Sequence, residues 1–153
     1  MRIAHHAVEK GHGRLVTIGL GSCVAIVIHD PVAKVGGLAH VLLPDAVRGH
    51  VIENRARYAK TAVPLLLEAM RALGATGPFV AKLAGGAGLF GNTLSGSGRV
   101  GARNIEASRA ALRDARITLV AEDVGGDCGR TVTFDVANGR LNVRSVRGGE
   151  REL

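Results

Sequence analysis

Two apolar runs on either side of an Asp-Pro turn constrain this chain more than any other feature. Cys23–Ile28 reads Cys-Val-Ala-Ile-Val-Ile, and Gly36–Leu43 is a second strand candidate closed by Pro44-Asp45. Asp30-Pro31 between them is a turn signal. The pair reads as a β-hairpin across Asp30–Ala33, in a register that sets Cys23 directly opposite His40. Directly opposed residues have Cβ atoms about 4.5–5.5 Å apart. A slip by two keeps both side chains on one face, and a slip by one separates them.

Other elements follow from spacing. Leu15–Ile18 is a short β-branched strand, followed by the tight turn Gly19-Leu20-Gly21-Ser22. Residues 45–56 read as a polar loop. From Tyr58 to Leu73, apolar residues at i, i+3, i+4 spacing predict a helix that Gly74 stops. Pro64 must sit early in this helix or kink it. Phe79–Ala84 is a strand running into Gly85-Gly86, Gly91–Gly101 a mobile Gly/Ser-rich loop, and 102–115 a second helix. Ile117–Val124 is a strand. Thr131–Val136 and Leu141–Val146 form a hairpin about Asn138-Gly139, the favoured type I′ pair. The expected architecture is an α/β sandwich forming a single domain over 1–153. A mixed β-sheet core of six or seven strands is flanked by about two long helices. With three Phe, one Tyr and no Trp, its core is built mainly from Val, Leu, Ile and Ala.

The formal net charge of +7 favours acidic partner surfaces. Nucleic acid is not the expected partner, because the arginines are spread along the chain and aromatic stacking platforms are few. Cys23 and Cys128 form no C-x-x-C pair, which gives neither a disulfide framework nor a zinc signature. No stretch approaches the 18 or so apolar residues of a membrane span, and the first residues lack a signal-peptide core. The expectation is a cytoplasmic protein with reduced thiols and no direct membrane insertion.

Cys23 directly follows a glycine-containing turn, where a substrate can approach. The turn amides of Gly21 and Ser22 can stabilise a thiolate or an oxyanion. The competing reading is a buried structural cysteine. His40, opposite Cys23 in the hairpin, supplies a base for a nucleophile–base pair in an accessible pocket; the alternative is a histidine satisfied by a backbone carbonyl. Thr17 can orient His40 if its strand neighbours the hairpin, or it is simply a good β-former. His5 and His6 are adjacent, but nothing completes a metal site around them. His12 and His50 read as solvated, and His29 ends a strand. Cys128 lies in a Gly-rich turn without a base nearby in sequence. Gly85-Gly86-Ala87-Gly88 lacks a Walker lysine and reads as tight turns at an active-site rim. Glu122 and Asp123 read as a solvated strand end rather than an acid–base pair. No metal or organic cofactor is expected.

At this point the residues resemble the chemoreceptor glutamine deamidase family, CheD. The resemblance rests on Leu20-Gly21-Ser22-Cys23-Val24-Ala25, Asp30-Pro31, and Gly37-Leu38-Ala39-His40-Val41-Leu42-Leu43-Pro44. It continues through Tyr58-Ala59, Pro64-Leu65-Leu66, Lys82-Leu83-Ala84-Gly85-Gly86-Ala87, Gly101-Ala102-Arg103-Asn104 and Ala121-Glu122-Asp123-Val124-Gly125-Gly126. Order and spacing together are specific where each piece alone is weak.

The resemblance implies a Cys–His–Thr triad, with Cys23, His40 and Thr17 as counterparts. It implies hydrolysis of particular glutamine side chains on the cytoplasmic helices of methyl-accepting chemotaxis receptors, giving glutamate and ammonia. It implies a fold akin to that of bacterial toxins that deamidate host GTPases. In some lineages it implies a CheC-type phosphatase as partner, and the rival reading is a non-enzymatic module that only binds such a protein. One departure stands out: the family commonly has Asn where Asp127 follows Gly125-Gly126.

Overall fold

The computed structural model describes residues 1–46, 51–88 and 97–153. Among them lie nine strands: β1 (His6–Lys10), β2 (Arg14–Leu20), β3 (Val24–Asp30), β4 (Val35–Val41), β5 (Val80–Gly85), β6 (Thr118–Val124), β7 (Arg130–Asp135), β8 (Leu141–Ser145) and β9 (Gly149–Glu152). Two helices, α1 (Ala59–Ala72) and α2 (Ser97–Asp114), complete the sandwich.

The hairpin read from sequence is the centre of the molecule. β3 and β4 pair inside a five-stranded sheet of order β1-β4-β3-β5-β6, and a second sheet has order β2-β7-β8-β9. Every residue of β3 and β4 is buried, because layers cover the first sheet on both faces. Val24, Ile26 and Ile28 point to the side of α1 and α2, in a core with Ala62, Val63, Leu66, Met70 and Leu112. Cys23, Ala25 and Val27 alternate to the other side and pack with Leu15, Val132, Phe134, Leu141 and Val143 of the second sheet. This period of two sorts one apolar run into two cores. The α/β sandwich is therefore three layers deep: helices, sheet, sheet.

The register differs from the expected one by two residues: Ala25, not Cys23, stands opposite His40. The cause is the turn. Asp30 pairs with Val35, leaving residues 31–34 as the loop. The Asp30 carboxylate accepts the N–H groups of Val32 and Ala33, and Lys34 takes a left-handed φ of 50°. Because the slip is even, Cys23 and His40 keep the same face.

α1 lies where the helical spacing placed it, with Pro64 inside it and Gly74 just past its end at φ +92°. α2 begins earlier than expected, so residues 97–101 are helix and not loop; residues 91–96 of that stretch lie outside the described residues, as does His50. The Asn138-Gly139 turn is not type I′, because only Gly139 has a positive φ there. Four residues follow Asp135 before Arg140, whose carbonyl accepts the Asp135 N–H. Two strands went unread in the sequence, β1 and β9. Both are polar edges, and β9 is exposed throughout, so neither shows an apolar alternation.

Candidate active site

The polypeptide crosses between the sheets at the residues singled out in the sequence. β2 belongs to the second sheet and pairs with β7, and its register shifts between Thr17 and Leu20. Gly19 there adopts φ +77°. The chain then passes through Gly21-Ser22-Cys23 and enters the first sheet at Val24. Thr17 is therefore not on a neighbouring strand of the same sheet; it faces His40 across the gap between sheets.

That crossing brings Thr17 Oγ1 to 2.7 Å from His40 Nδ1. The same hydroxyl donates to the Met1 carbonyl at 3.2 Å. A threonine hydroxyl has one proton to give. The arrangement in which that proton goes to Met1 O has Nδ1 protonated and donating to Thr17. The lone pair of His40 then sits on Nε2. This atom is buried and has no hydrogen-bond partner among the described residues.

Cys23 is the diagonal neighbour of His40 across the hairpin, on the same face. Both groups are enclosed: Cys23 is 6% exposed and His40 fully buried. This corrects the expectation of an accessible pocket. A groove of about 590 Å³ beside the crossing is lined by Ile18, Gly19, Gly129 and Val146, not by the pair itself. Burial raises the Cys23 thiol above its usual pKa, against a smaller lowering by its own N–H. Burial also lowers the His40 pKa to about 4. At neutral pH both groups are thus uncharged, and the resting pair is thiol and imidazole rather than thiolate and imidazolium.

The crossing loop is held by its carbonyls. Ala87 N–H donates to Gly21 O at 2.8 Å and Gly86 N–H to Cys23 O at 2.7 Å. Between them, Asn104 Nδ2 donates to Ser22 O at 2.8 Å and to Leu42 O at 3.0 Å. Gly21 N–H is taken by Gly19 O. The amides of Ser22 and Cys23 have no backbone acceptor among the described residues. Of the two residues expected to donate, Gly21 has its N–H engaged by Gly19 O, and Ser22 N–H has no acceptor among the described residues.

The glycine that ends β5 is required by this packing. A Cβ on Gly85 would lie 2.3 Å from Cys23 O, and its φ is +109°. Gly85→Ala is expected to cost about 2–3 kcal/mol in urea unfolding, from left-handed strain and the clash together. An unchanged midpoint would mean that the loop is not packed as described.

Other sequence candidates are otherwise engaged. Glu122 pairs with Arg109 and Asp123 with Arg130, so neither carboxylate is free for acid–base work. His29 Nε2 bonds the Val136 carbonyl at 2.9 Å. Cys128 Sγ donates to Asp127 Oδ1, and that carboxylate raises the Cys128 pKa. Asn104 is the residue of this neighbourhood to which the sequence reading assigned no role. A polar residue on the buried face of an amphipathic helix, in line with Ile105 and Ser108, was the available signal.

Comparison with known proteins finds relatives over nearly the whole chain. The model of the family described as CheD chemotactic sensory transduction matches residues 42–145. The chain is 47% identical over 150 residues to the chemoreceptor glutamine deamidase CheD of Thermotoga maritima, covering 97% of this chain and 92% of that protein. It is 47% identical over 140 residues to the protein of that name from Halalkalibacterium halodurans, covering 90% and 86%. A probable chemoreceptor glutamine deamidase CheD from Archaeoglobus fulgidus is 48% identical over 149 residues, covering 97% and 93%.

Proposed function

The chain belongs to the CheD family, and from that premise we propose that it deamidates glutamine side chains of chemoreceptors, with Cys23 as nucleophile, His40 as general base and Thr17 as its anchor. One observation carries the catalytic reading. His40 is held at Nδ1 by Thr17 while Nε2, on the face it shares with Cys23, is buried without a partner among the described residues. A buried orphan acceptor is costly, and a reacting thiol is the proton source that would use it.

The reaction runs from the neutral pair. Nε2 takes the Cys23 proton as Sγ attacks the glutamine carboxamide carbon, so no stable thiolate precedes the substrate. The oxyanion lies against the amides of Ser22 and Cys23. His40 returns the proton to the departing nitrogen, and ammonia leaves a thioester. Water, deprotonated by Nε2, then attacks the thioester and gives glutamate and the free thiol. No step in this sequence calls for a metal or organic cofactor. Because the pair is enclosed, the substrate glutamine must be inserted to reach it.

No helix among the described residues is long and apolar enough to cross a membrane. The proposed substrates are the cytoplasmic helices of methyl-accepting chemotaxis receptors, so the work is done in the cytoplasm. The chain's net charge of +7 favours docking on acidic helices. The test is mass spectrometry of receptor cytoplasmic fragments with and without the protein. The mass gain of amide-to-acid conversion at defined glutamines is the expected result. Its absence on every receptor fragment removes the substrate assignment and favours the binding module.

Two further outcomes follow from His40. A base must be neutral to act, and a pKa of about 4 keeps it so. The acid limb of kcat/KM is therefore expected near pH 4, and a limb near 6.5 would contradict the buried environment. Thr17→Val removes the acceptor for Nδ1–H and frees the ring to change tautomer. A loss of about 10²-fold in kcat is expected, read from initial rates of ammonia release.

A further inference from the structure

We propose that Asn104 is a positioning residue that sets Cys23 against His40. This inference rests on the catalytic reading above. The β3–β4 ladder ends at the pair Val24 and Val41. One step beyond, Cys23 and Leu42 have left the ladder. At that place the side chain of Asn104, reaching in from α2, donates both hydrogens of Nδ2: one to Ser22 O at 2.8 Å, the other to Leu42 O at 3.0 Å. The first carbonyl immediately precedes the nucleophile. The second lies two residues after the base. A single planar amide thus spans the two chain segments whose side chains must meet.

Three features make this more than ordinary helix packing. Asn104 is fully buried, so its bonds are made in a low-dielectric setting where geometry is held tightly. Its Oδ1 is buried without a partner among the described residues. Orientation is therefore dictated by the two donated bonds, since they outweigh an unsatisfied acceptor. Finally, the neighbouring carbonyls of Gly21 and Cys23 are held by the backbone of Ala87 and Gly86. Of the three loop carbonyls, Ser22 O alone depends on a side chain. The spacing between Cys23 and His40 is thereby open to a single substitution.

The test is a double-mutant cycle on the rate of Cys23 alkylation by iodoacetamide, with deamidation measured in parallel. In the parent protein, His40→Ala slows alkylation because Nε2 assists the thiol. If Asn104 positions the pair, Asn104→Ala removes that assistance, and adding His40→Ala to it changes nothing further. Deamidation by Asn104→Ala should fall at least about tenfold in kcat with KM within about twofold. Ser108→Ala, which loses a bond to the Asn104 carbonyl on the same buried helix face, serves as the packing control and should keep the parent kcat. Should Asn104→Ala not fold, Asn104→Ser retains one donor in the same space and enters the same cycle. Additive effects of the Asn104 and His40 substitutions would overturn the proposal, as would parent-like kcat in folded Asn104→Ala. Absence of deamidation by the parent protein would sink the functional reading instead, while the alkylation cycle would still decide the positioning role.

Discussion

Cys23→Ala is expected to lower glutamine deamidation by at least about 10³-fold while the protein remains folded. The magnitude follows from the chemistry: without a nucleophile the amide must be attacked by water directly, and loss of one member of such a set typically leaves only the background supplied by binding and oxyanion donors. The fold should tolerate the change. Cys23 lies at the rim of the inter-sheet core, where Leu15, Val132 and Phe134 provide the bulk, and only one sulfur atom is removed. Cys128→Ala is the matched control. That thiol sits on an exposed turn, bonded to Asp127, and its removal should leave the rate unchanged. His40→Ala should cost about as much as Cys23→Ala, and the double variant no more than either, because the two act as one unit. Ammonia release and receptor-fragment mass are the readouts. A Cys23→Ala protein that still deamidates would end the nucleophile assignment whatever the family.

The hairpin that carries this pair was legible because two physical signals agreed. Apolar runs of the right length flank Asp30-Pro31, and the side-chain period of two ties face to sequence parity. Parity survives an even slip, so the shared face of Cys23 and His40 was legible although the register was not. The register followed Asp30 capping Val32 and Ala33, a local Asx-type turn that an Asp-Pro pair signals without fixing the length of the loop.

Thr17 was legible as a candidate but not its route. Its contact with His40 joins two sheets, and no spacing rule within one strand pair describes that. Asn104 was harder still. Its partners, Ser22 and Leu42, lie 82 and 62 residues away, and a buried helix asparagine advertises only that it must bond something. β1 and β9 lie at sheet edges, where charged side chains discourage pairing with other chains and also erase the apolar alternation that marks a strand.

Asp30→Ala is expected to give the largest loss of stability of any single substitution proposed here, about 3–5 kcal/mol in urea unfolding at pH 7. The carboxylate is fully buried and accepts four backbone N–H groups. Val32 and Ala33 lie at 3.0 and 2.9 Å on Oδ1, and Thr76 and Gly77 at 2.9 and 2.7 Å on Oδ2. It thereby ties the β3–β4 turn to the segment between α1 and β5. Truncation leaves four donors without a partner inside the protein. Burial alone would raise this carboxyl's pKa, but the four N–H groups outweigh it and the net shift is downward.

The sign then follows. The unfolded chain binds the proton more readily, so Asp30 contributes fully above its ordinary value of 3.8. The contribution fades as pH falls through the lower folded value. The difference between parent and Asp30→Ala should accordingly be largest at neutral pH and shrink below about pH 4. Asp30 stands at the opposite end of the hairpin from Cys23. Activity per folded molecule should therefore be unchanged, which separates loss of fold from loss of chemistry. A substitution that left stability intact at pH 7 would show that the turn is not anchored in this way, and with it the cause assigned to the two-residue shift in register.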